Sequence, residues 1–364
     1  ETPTQTVSGE RIKTPVEIMD VLAIKRGDTD PDRIIVISGH LDSRVTDVMN
    51  SQSDAPGADD DGSGVAAVIE SARLLSKQNN HATLVFAVLS GEEQGLYGGK
   101  LLADYAVAHH WEVEAQLNND IIGSGRGMNG ATDSTTVRVF SEGTRSTETP
   151  EQAKLRSYHG GEVDSPSRNL ARMMATIADA YLPDFHVRMI YRTDRFGRGG
   201  DQVPMLEAGF PAVRITESHE DYTHQHQDVR VENRVRYGDT LDNIDFRYLA
   251  RVTALNALTM AQLSRAPAPP VDVSIEGAVS TDTTVHWKKI TAAAGYRVYW
   301  RDTTAPQWQY SRDAGDTTQA VLKNVVIDDW FFGVSSMSSD GYESPVVFPG
   351  VTGGFTRLPP ATSH

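Results

Sequence analysis

Cysteine is absent from the 364 residues. That removes disulfide staples, thiolate metal ligands and a thiol nucleophile together, and leaves the redox compartment open. Basic charge is short as well: 34 Lys and Arg stand against 49 Asp and Glu, for a net charge of −15. Nucleic acid and anionic membranes both reward cationic surfaces, so neither is expected as the main partner. No apolar run approaches the length of a membrane span. Internal repeats and low-complexity tracts are also missing, which sets aside solenoids and disordered chains. The remaining composition, 39% hydrophobic and 23% charged, is that of a globular protein long enough for more than one domain. The chain opens on Glu1 and not Met, as a processed protein does. Export to a periplasm or the extracellular space is the expectation, although no signal segment is visible.

The most informative stretch runs from Leu84 to Gly99. Leu84–Leu89 is apolar on both faces, the pattern of a central parallel strand covered by helices on each side. It leads into adjacent carboxylates, Glu92 and Glu93, and a glycine-rich turn. Ligands in open α/β sheets bind beyond the carboxyl ends of such strands. Two neighbouring acids there resist desolvation unless a cation joins them or one is protonated. A solvated acidic loop is the plain alternative.

Other strand ends repeat the theme. Arg33–Ser38 reads as a buried strand ending at Gly39-His40-Leu41-Asp42. Alternation turns His40 and Asp42 the same way, so a carboxylate could set the tautomer of the histidine. Gly57-Ala-Asp-Asp-Asp-Gly-Ser-Gly64 precedes an apolar-periodic helix, Val65–Ser76. One aspartate suffices for a helix cap; three in a glycine-flanked turn suggest a cation. Trp111–Ile122 reads as another strand, with Asp120 near its end. A strand over Val16–Ile24, further strands at Val137–Ser141 and Pro211–Ile215, and helices over Leu96–Ala108, Asn169–Tyr181 and Phe246–Arg265 complete an alternating pattern. Arg145–Arg168 reads as an irregular excursion. The alternation predicts an α/β sandwich of three layers around a mixed, largely parallel sheet over residues 1–265. Ala266-Pro-Ala-Pro-Pro270 reads as a short stiff linker. Short β-rich runs over 271–350 then predict a small all-β immunoglobulin-like sandwich, followed by a tail at 351–364. Its Trp287, Trp300, Trp308 and Trp330 read as core and edge residues of that sandwich.

The polar strand-end residues are therefore His40, Asp42, Asp60, Glu92, Glu93, Asp120 and a histidine near 224. Nitrogen and carboxylate donors without thiolates suit zinc in a catalytic site, or manganese or cobalt, better than a structural zinc. Gly39-His-Leu-Asp42, the Asp59–Asp61 turn, Gly91-Glu-Glu-Gln-Gly-Leu-Tyr-Gly98 and Asn118-Asn-Asp-Ile-Ile-Gly123 together resemble the motifs of the co-catalytic di-zinc aminopeptidases of clan MH. That family includes bacterial leucyl aminopeptidases and glutamate carboxypeptidases. The resemblance covers about residues 33–264; the C-terminal portion is similar, more loosely, to a fibronectin type III module.

The resemblance implies two zinc ions and a peptide substrate. Carried over by position, Asp60 would bridge the ions, His40 and Asp120 would complete one site, and Glu93 and His224 the other. Glu92 would be the general base for a metal-bridged hydroxide, Asp42 the partner of His40, and the Asp60–Asp61 peptide would be cis. His226 and His219 remain alternatives to His224, because His226 would share its face in an extended loop. Asp239-Thr-Leu lies further on than in the family, as though a short insertion intervened. Arg195, Arg198, Asp201 and Tyr222 would contact substrate. An acidic cleft favours a protonated α-amine and hence an aminopeptidase; arginines binding a substrate carboxylate would suit a carboxypeptidase or dipeptidase. A single-zinc glutaminyl cyclase and a non-catalytic receptor-like protein are the rival readings. The C-terminal module is expected to be a spacer or to bind a surface or another protein, and to be dispensable for hydrolysis of small substrates.

Overall fold

Strands that are apolar at every position must be covered twice, and the two most apolar runs lie side by side in the middle of the molecule. The computed structural model describes residues 1–360. In chain order its first strands are β1 Thr4–Val7, β2 Val16–Met19, β3 Val21–Lys25, β4 Asp30–His40, β5 Ala82–Leu89, β6 Glu112–Asn119, β7 Thr136–Phe140, β8 His186–Ile190 and β9 Ala212–Glu217. The helices are α1 Gly62–Leu75, α2 Glu92–Gly95, α3 Tyr97–Ala108, α4 Pro150–His159, α5 Pro166–Tyr181, α6 Gln202–Glu207 and α7 Phe246–Arg265. A 7-stranded sheet has the order β3-β5-β4-β6-β9-β7-β8. β5, β4, β6 and β9 run parallel, whereas β3 and β7 pair antiparallel to their neighbours β5 and β9.

Alternation along β4 divides its side chains between two cores. Ile35 and Ile37 pack with α1, α5 and α7, and Ile34 and Val36 with α3 and α6. Burial of each such side chain contributes ~1.5–3 kcal/mol, so a one-residue slip in β4 is strongly disfavoured. That register fixes where His40 emerges at the end of the strand. Among the described residues no helix is long and apolar enough to cross a membrane.

Val16–Ile24 is not one strand. The chain turns at Asp20, which is fully buried and accepts the Ser90 N–H at 3.0 Å. β2 therefore pairs with β1 in a separate hairpin, while β3 joins the main sheet. Arg145–Arg168 is more regular than the sequence suggested. Thr149 and Gln152 form a reciprocal capping box that starts α4, and Ser165 caps α5 just before Pro166.

Beyond α7 the chain forms β12 Val271–Glu276, β13 Thr283–Lys288, β14 Gly295–Asp302, β15 Tyr310–Gly315, β16 Gln319–Leu322 and β17 Trp330–Met337; ahead of α7, β10 Arg230–Glu232 and β11 Val235–Tyr237 make a small hairpin. The sheets β12-β13-β16 and β15-β14-β17 share a core that includes Val285, Trp287, Tyr296, Val298 and Phe332. β15 escaped the sequence reading because nearly all of it is exposed.

The stretch read as a stiff linker is largely enclosed. Ala266 is fully buried, and its carbonyl accepts Arg33 Nη2 at 2.6 Å. Nearby, Arg301 of the sandwich reaches both oxygens of Asp164, at 2.9 and 2.7 Å, while Arg172 meets Asp164 at 2.8 Å. Trp308 Nε1 donates to Asn169 Oδ1 at 3.3 Å. Part of the expected tail also returns to the α/β body, with Arg145 donating to the carbonyls of Gly354 and Thr356; residues 361–364 lie outside the described residues.

Candidate metal centre

The carboxyl ends of β4, β5 and β6 deliver the sequence-predicted acids and His40 to one place. The His40 ring is enclosed, and its Nδ1 lies 2.9 Å from the backbone carbonyl of Asp42. A carbonyl only accepts, so Nδ1 carries the proton and Nε2 keeps a free lone pair. The Asp42 carboxylate, expected on that ring, lies 3.8 Å away and does something else. It accepts the N–H groups of Gly91, Glu92 and Glu93 at 2.6, 3.2 and 3.0 Å, and so pins the turn that carries both glutamates.

The three consecutive aspartates have three separate tasks. Asp59 accepts the Gly123 N–H at 2.6 Å. Asp61 accepts from His40 N and Gly64 N at 2.9 and 3.0 Å, tying the end of β4 to the start of α1. Only Asp60 faces the centre, with Oδ1 3.2 Å from His40 Nε2 and Oδ2 2.9 Å from His226 Nε2. The peptide between Asp60 and Asp61 is cis. Asp239 holds this turn from below by accepting the N–H groups of Asp59 and Asp60 at 2.9 and 2.8 Å.

His226, and not His224, completes the cluster. Residues 221–226 form a tight turn, closed by the N–H groups of His224 and Gln225 on the Asp221 carbonyl, in place of an extended loop. His226 itself adopts a left-handed φ of 55°. Its Nε2 reaches Glu93 Oε1 at 3.0 Å, whereas His224 faces Asp221 at 3.7 Å and His219 faces Ser218 Oγ at 3.3 Å. The sequence signal for His226 was weak because the face a side chain takes depends on that turn.

Atoms able to ligate a metal gather in two groups, His40 with Glu92 and Asp120, and Asp60 with Glu93 and His226; within each they lie within 4.8 Å of one another. His40 Nε2 and Glu93 Oε1 are buried yet make no hydrogen bond among the described residues, despite their close neighbours. Atoms that converge without bonding to each other fit ligands of a common ion, and the N/O donor set suits zinc. The electrostatics agree. Burial opposes charge on His40, but Asp60, Asp61, Glu92 and Asp120 outweigh it and raise its pKa well above the usual range. Burial likewise opposes charge on His226, yet Asp60 and Glu93 hold it at about 9. Burial drives the Glu92 carboxyl well above its usual range; His40 opposes the shift, and Asp120, Asp201 and Glu93 add to it. The centre favours added positive charge. Asp120 is oriented by the fully buried Arg214, a partner the sequence reading missed.

The expected substrate contacts fare differently. Arg195 lies 3.1 Å from Asp194 and 3.5 Å from Glu220, and Arg198 lies 3.2 Å from the same Glu220. Asp201 is buried and accepts the Gly99 N–H at 3.1 Å. These three groups are committed within the protein. Tyr222 is exposed.

The sequence model of Peptidase family M28 matches residues 20–258. Among similar proteins, a probable zinc metalloprotease of Leptosphaeria maculans is 45% identical over 342 residues, covering 93% of this chain and 79% of its own. A probable zinc metalloprotease of Pyricularia oryzae is 44% identical over 348 residues, covering 93% and 69%. Among solved structures, an aminopeptidase from Aneurinibacillus sp. strain AM-1 superposes with a TM-score of 0.47 at 21% identity, covering 69% of this chain and 49% of that one. A glutaminyl cyclase from Fimbriiglobus ruber gives a TM-score of 0.49 at 17% identity, covering 72% and 80%. With the family pattern spanning β3 to α7 and the sequence relatives spanning nearly the whole chain, this protein belongs to peptidase family M28, hydrolases of peptide bonds.

Proposed function

We propose that this chain is a zinc-dependent aminopeptidase holding two ions. The observation that carries the reading is the position of Asp60, one oxygen toward each histidine, between two groups of ligand atoms. His40 and Asp120 would hold one ion, Glu93 and His226 the other, and Asp60 both. Bound zinc supplies a Lewis acid for the scissile carbonyl and lowers the pKa of the attacking water. Glu92 takes a proton from that water and returns it to the leaving amine nitrogen. Asp42 keeps Glu92 in place through the backbone N–H groups of its turn. Arg214 keeps Asp120 turned toward the centre.

The amino-terminal preference follows from charge. Glu220 and Asp194 already engage Arg195 and Arg198, which weakens the case for those arginines as receptors for a carboxylate at the cleaved residue. The acids of the centre suit a protonated α-amine. The β-sandwich is read as a fibronectin type III-like module that stabilises the body and presents a surface to another molecule, and the protein as exported. Zinc content by elemental analysis, with a screen of aminoacyl anilides, tests the assignment. Cleavage of carboxy-terminally amidated peptides and refusal of amino-terminally blocked ones is the expected result; the reverse would make it a carboxypeptidase.

A further inference from the structure

Glu220 belongs to neither group of atoms able to ligate a metal, yet an arginine leads from it toward each. Its carboxylate is buried and takes three guanidiniums: Arg138 on Oε1 at 2.8 Å, and Arg195 and Arg198 on Oε2 at 3.5 and 3.2 Å. We propose that Glu220 is a positioning residue for the candidate metal centre: it holds the Arg195 and Arg198 guanidiniums off Asp120 and Asp60, so that those carboxylates stay free for zinc. The proposal rests on the zinc reading above and names what keeps the protein's own cations out of the site.

Three observations carry it. Arg195 Nη2 lies 3.8 Å from Asp120 Oδ2, an ion pair too long for a hydrogen bond. Asp194 and the Gly199 carbonyl take Nε and Nη2 of that guanidinium at 3.1 and 3.2 Å, and Glu220 takes Nη1. A shift of about 1 Å would tighten the contact with Asp120 into a charge-assisted hydrogen bond. Asp120 already meets Arg214, so a second close cation would leave it little charge to offer an ion. Next, Arg198 Nη1 donates to Glu220 Oε2 and to Gln225 Oε1, at 3.2 and 3.3 Å. A guanidinium only donates, so the Gln225 amide oxygen faces Arg198 and its nitrogen faces Asp60, 3.5 Å from Oδ2. A neutral amide thus separates this cation from the carboxylate shared by the two histidines. Finally, Glu220 is ionised. Burial opposes its charge, but Arg195, Arg138 and Arg214 hold its pKa below the usual carboxylate range. A buried anion attracts cations more strongly than a solvated one.

The test measures zinc affinity by competition with a chelator, on full-length variants whose folding is checked by Tm in EDTA. Glu220→Gln keeps the shape of the side chain and releases the arginines. Its zinc affinity should fall about 10–100-fold, the scale for groups that stand behind metal ligands. Adding Arg195→Met to that variant removes the cation nearest Asp120 and should recover most of the loss. A merely structural Glu220 predicts the opposite, a double variant at least as weak as the single one. Arg195→Met alone should bind zinc no more weakly than the wild type, a comparison that does not depend on Glu220→Gln folding. Unchanged affinity in Glu220→Gln, no recovery in the double variant, or weaker binding by Arg195→Met alone would overturn the positioning role, while zinc uptake by the wild type keeps the reading of the centre. A wild type that takes up no zinc would remove both.

Discussion

Buried charge is gathered in two regions of this molecule, and they are finished differently. At the junction of the α/β body and the β-sandwich, Asp164 is enclosed and meets Arg301 at 2.7 Å and Arg172 at 2.8 Å. Protein cations surround the acid from both sides of the junction, and nothing outside the chain is called for. At the ends of β4, β5 and β6 the acids Asp60, Glu92, Glu93 and Asp120 meet two imidazoles and, at Asp120 alone, the guanidiniums of Arg214 and Arg195. There, His40 Nε2 and Glu93 Oε1 are each buried without a hydrogen-bond partner among the described residues. Removing charges from water costs several kcal/mol per ion, so an arrangement that the chain leaves open persists where something else closes it. The completed cluster holds two parts of the fold together; the incomplete one is the candidate for chemistry.

That contrast can be broken most forcefully at Glu92. Glu92→Gln keeps the shape of the side chain and removes the base, so turnover should fall by about 10²–10⁴-fold with zinc content unchanged. Near-normal turnover in steady-state assays would leave Glu92 without its role. The two histidines are separated by metal content. After dialysis His226→Ala should lose one of the bound ions while His224→Ala retains both, measured by elemental analysis. The opposite pattern would restore His224 as the ligand. At the junction, Asp164→Ala leaves Arg172 and Arg301 buried without their acid and should cost about 3–5 kcal/mol, read by denaturant unfolding. Anilide turnover at low temperature should persist, because the junction does not touch the candidate metal centre. By the same logic, a chain ending at Arg265 should express as an unstable protein, contrary to the dispensable module the sequence suggested.

The fold was largely legible because its strands are either apolar throughout, as Leu84–Leu89 is, or end in conspicuous polar motifs. Helix α7 could be read over its full length, Phe246–Arg265; its Asp245 cap is seen only in the structure. What escaped depended on tertiary contacts. Asp20 interrupts an apolar run only because the Ser90 N–H waits for it. The choice among His219, His224 and His226 depends on the turn over 221–226 and on the φ of His226, neither of which alternation encodes. Asp42 was assigned to His40 by spacing, yet three N–H groups of the glutamate turn compete for its carboxylate and win. The proline-rich stretch reads as a linker by composition, and burial against Arg33 shows that composition alone does not decide exposure.

Asp20 sharpens the comparison by offering a third solution, a buried acid with neither a cation nor a metal cluster of its own. One oxygen accepts the Ser90 N–H, and Oδ2 has no partner among the described residues. Burial raises its pKa to about 8, with Asp201 and Asp42 adding to the shift and the Ser90 N–H opposing it. The folded protein therefore keeps a proton that the unfolded chain releases near an ordinary aspartate's 3.8. Between those limits the native state binds more protons, so stability falls as pH rises, by up to about 1.4 kcal/mol per pH unit from this one group. Below the unfolded pKa the contribution is fully present; above about 8 it is gone. Asp20→Asn is neutral throughout and should flatten the decline of Tm between pH 5 and pH 8 relative to the wild type. Parallel Tm profiles for the two proteins would mean that Asp20 is ionised in the fold, and that a nearby cation serves it as well.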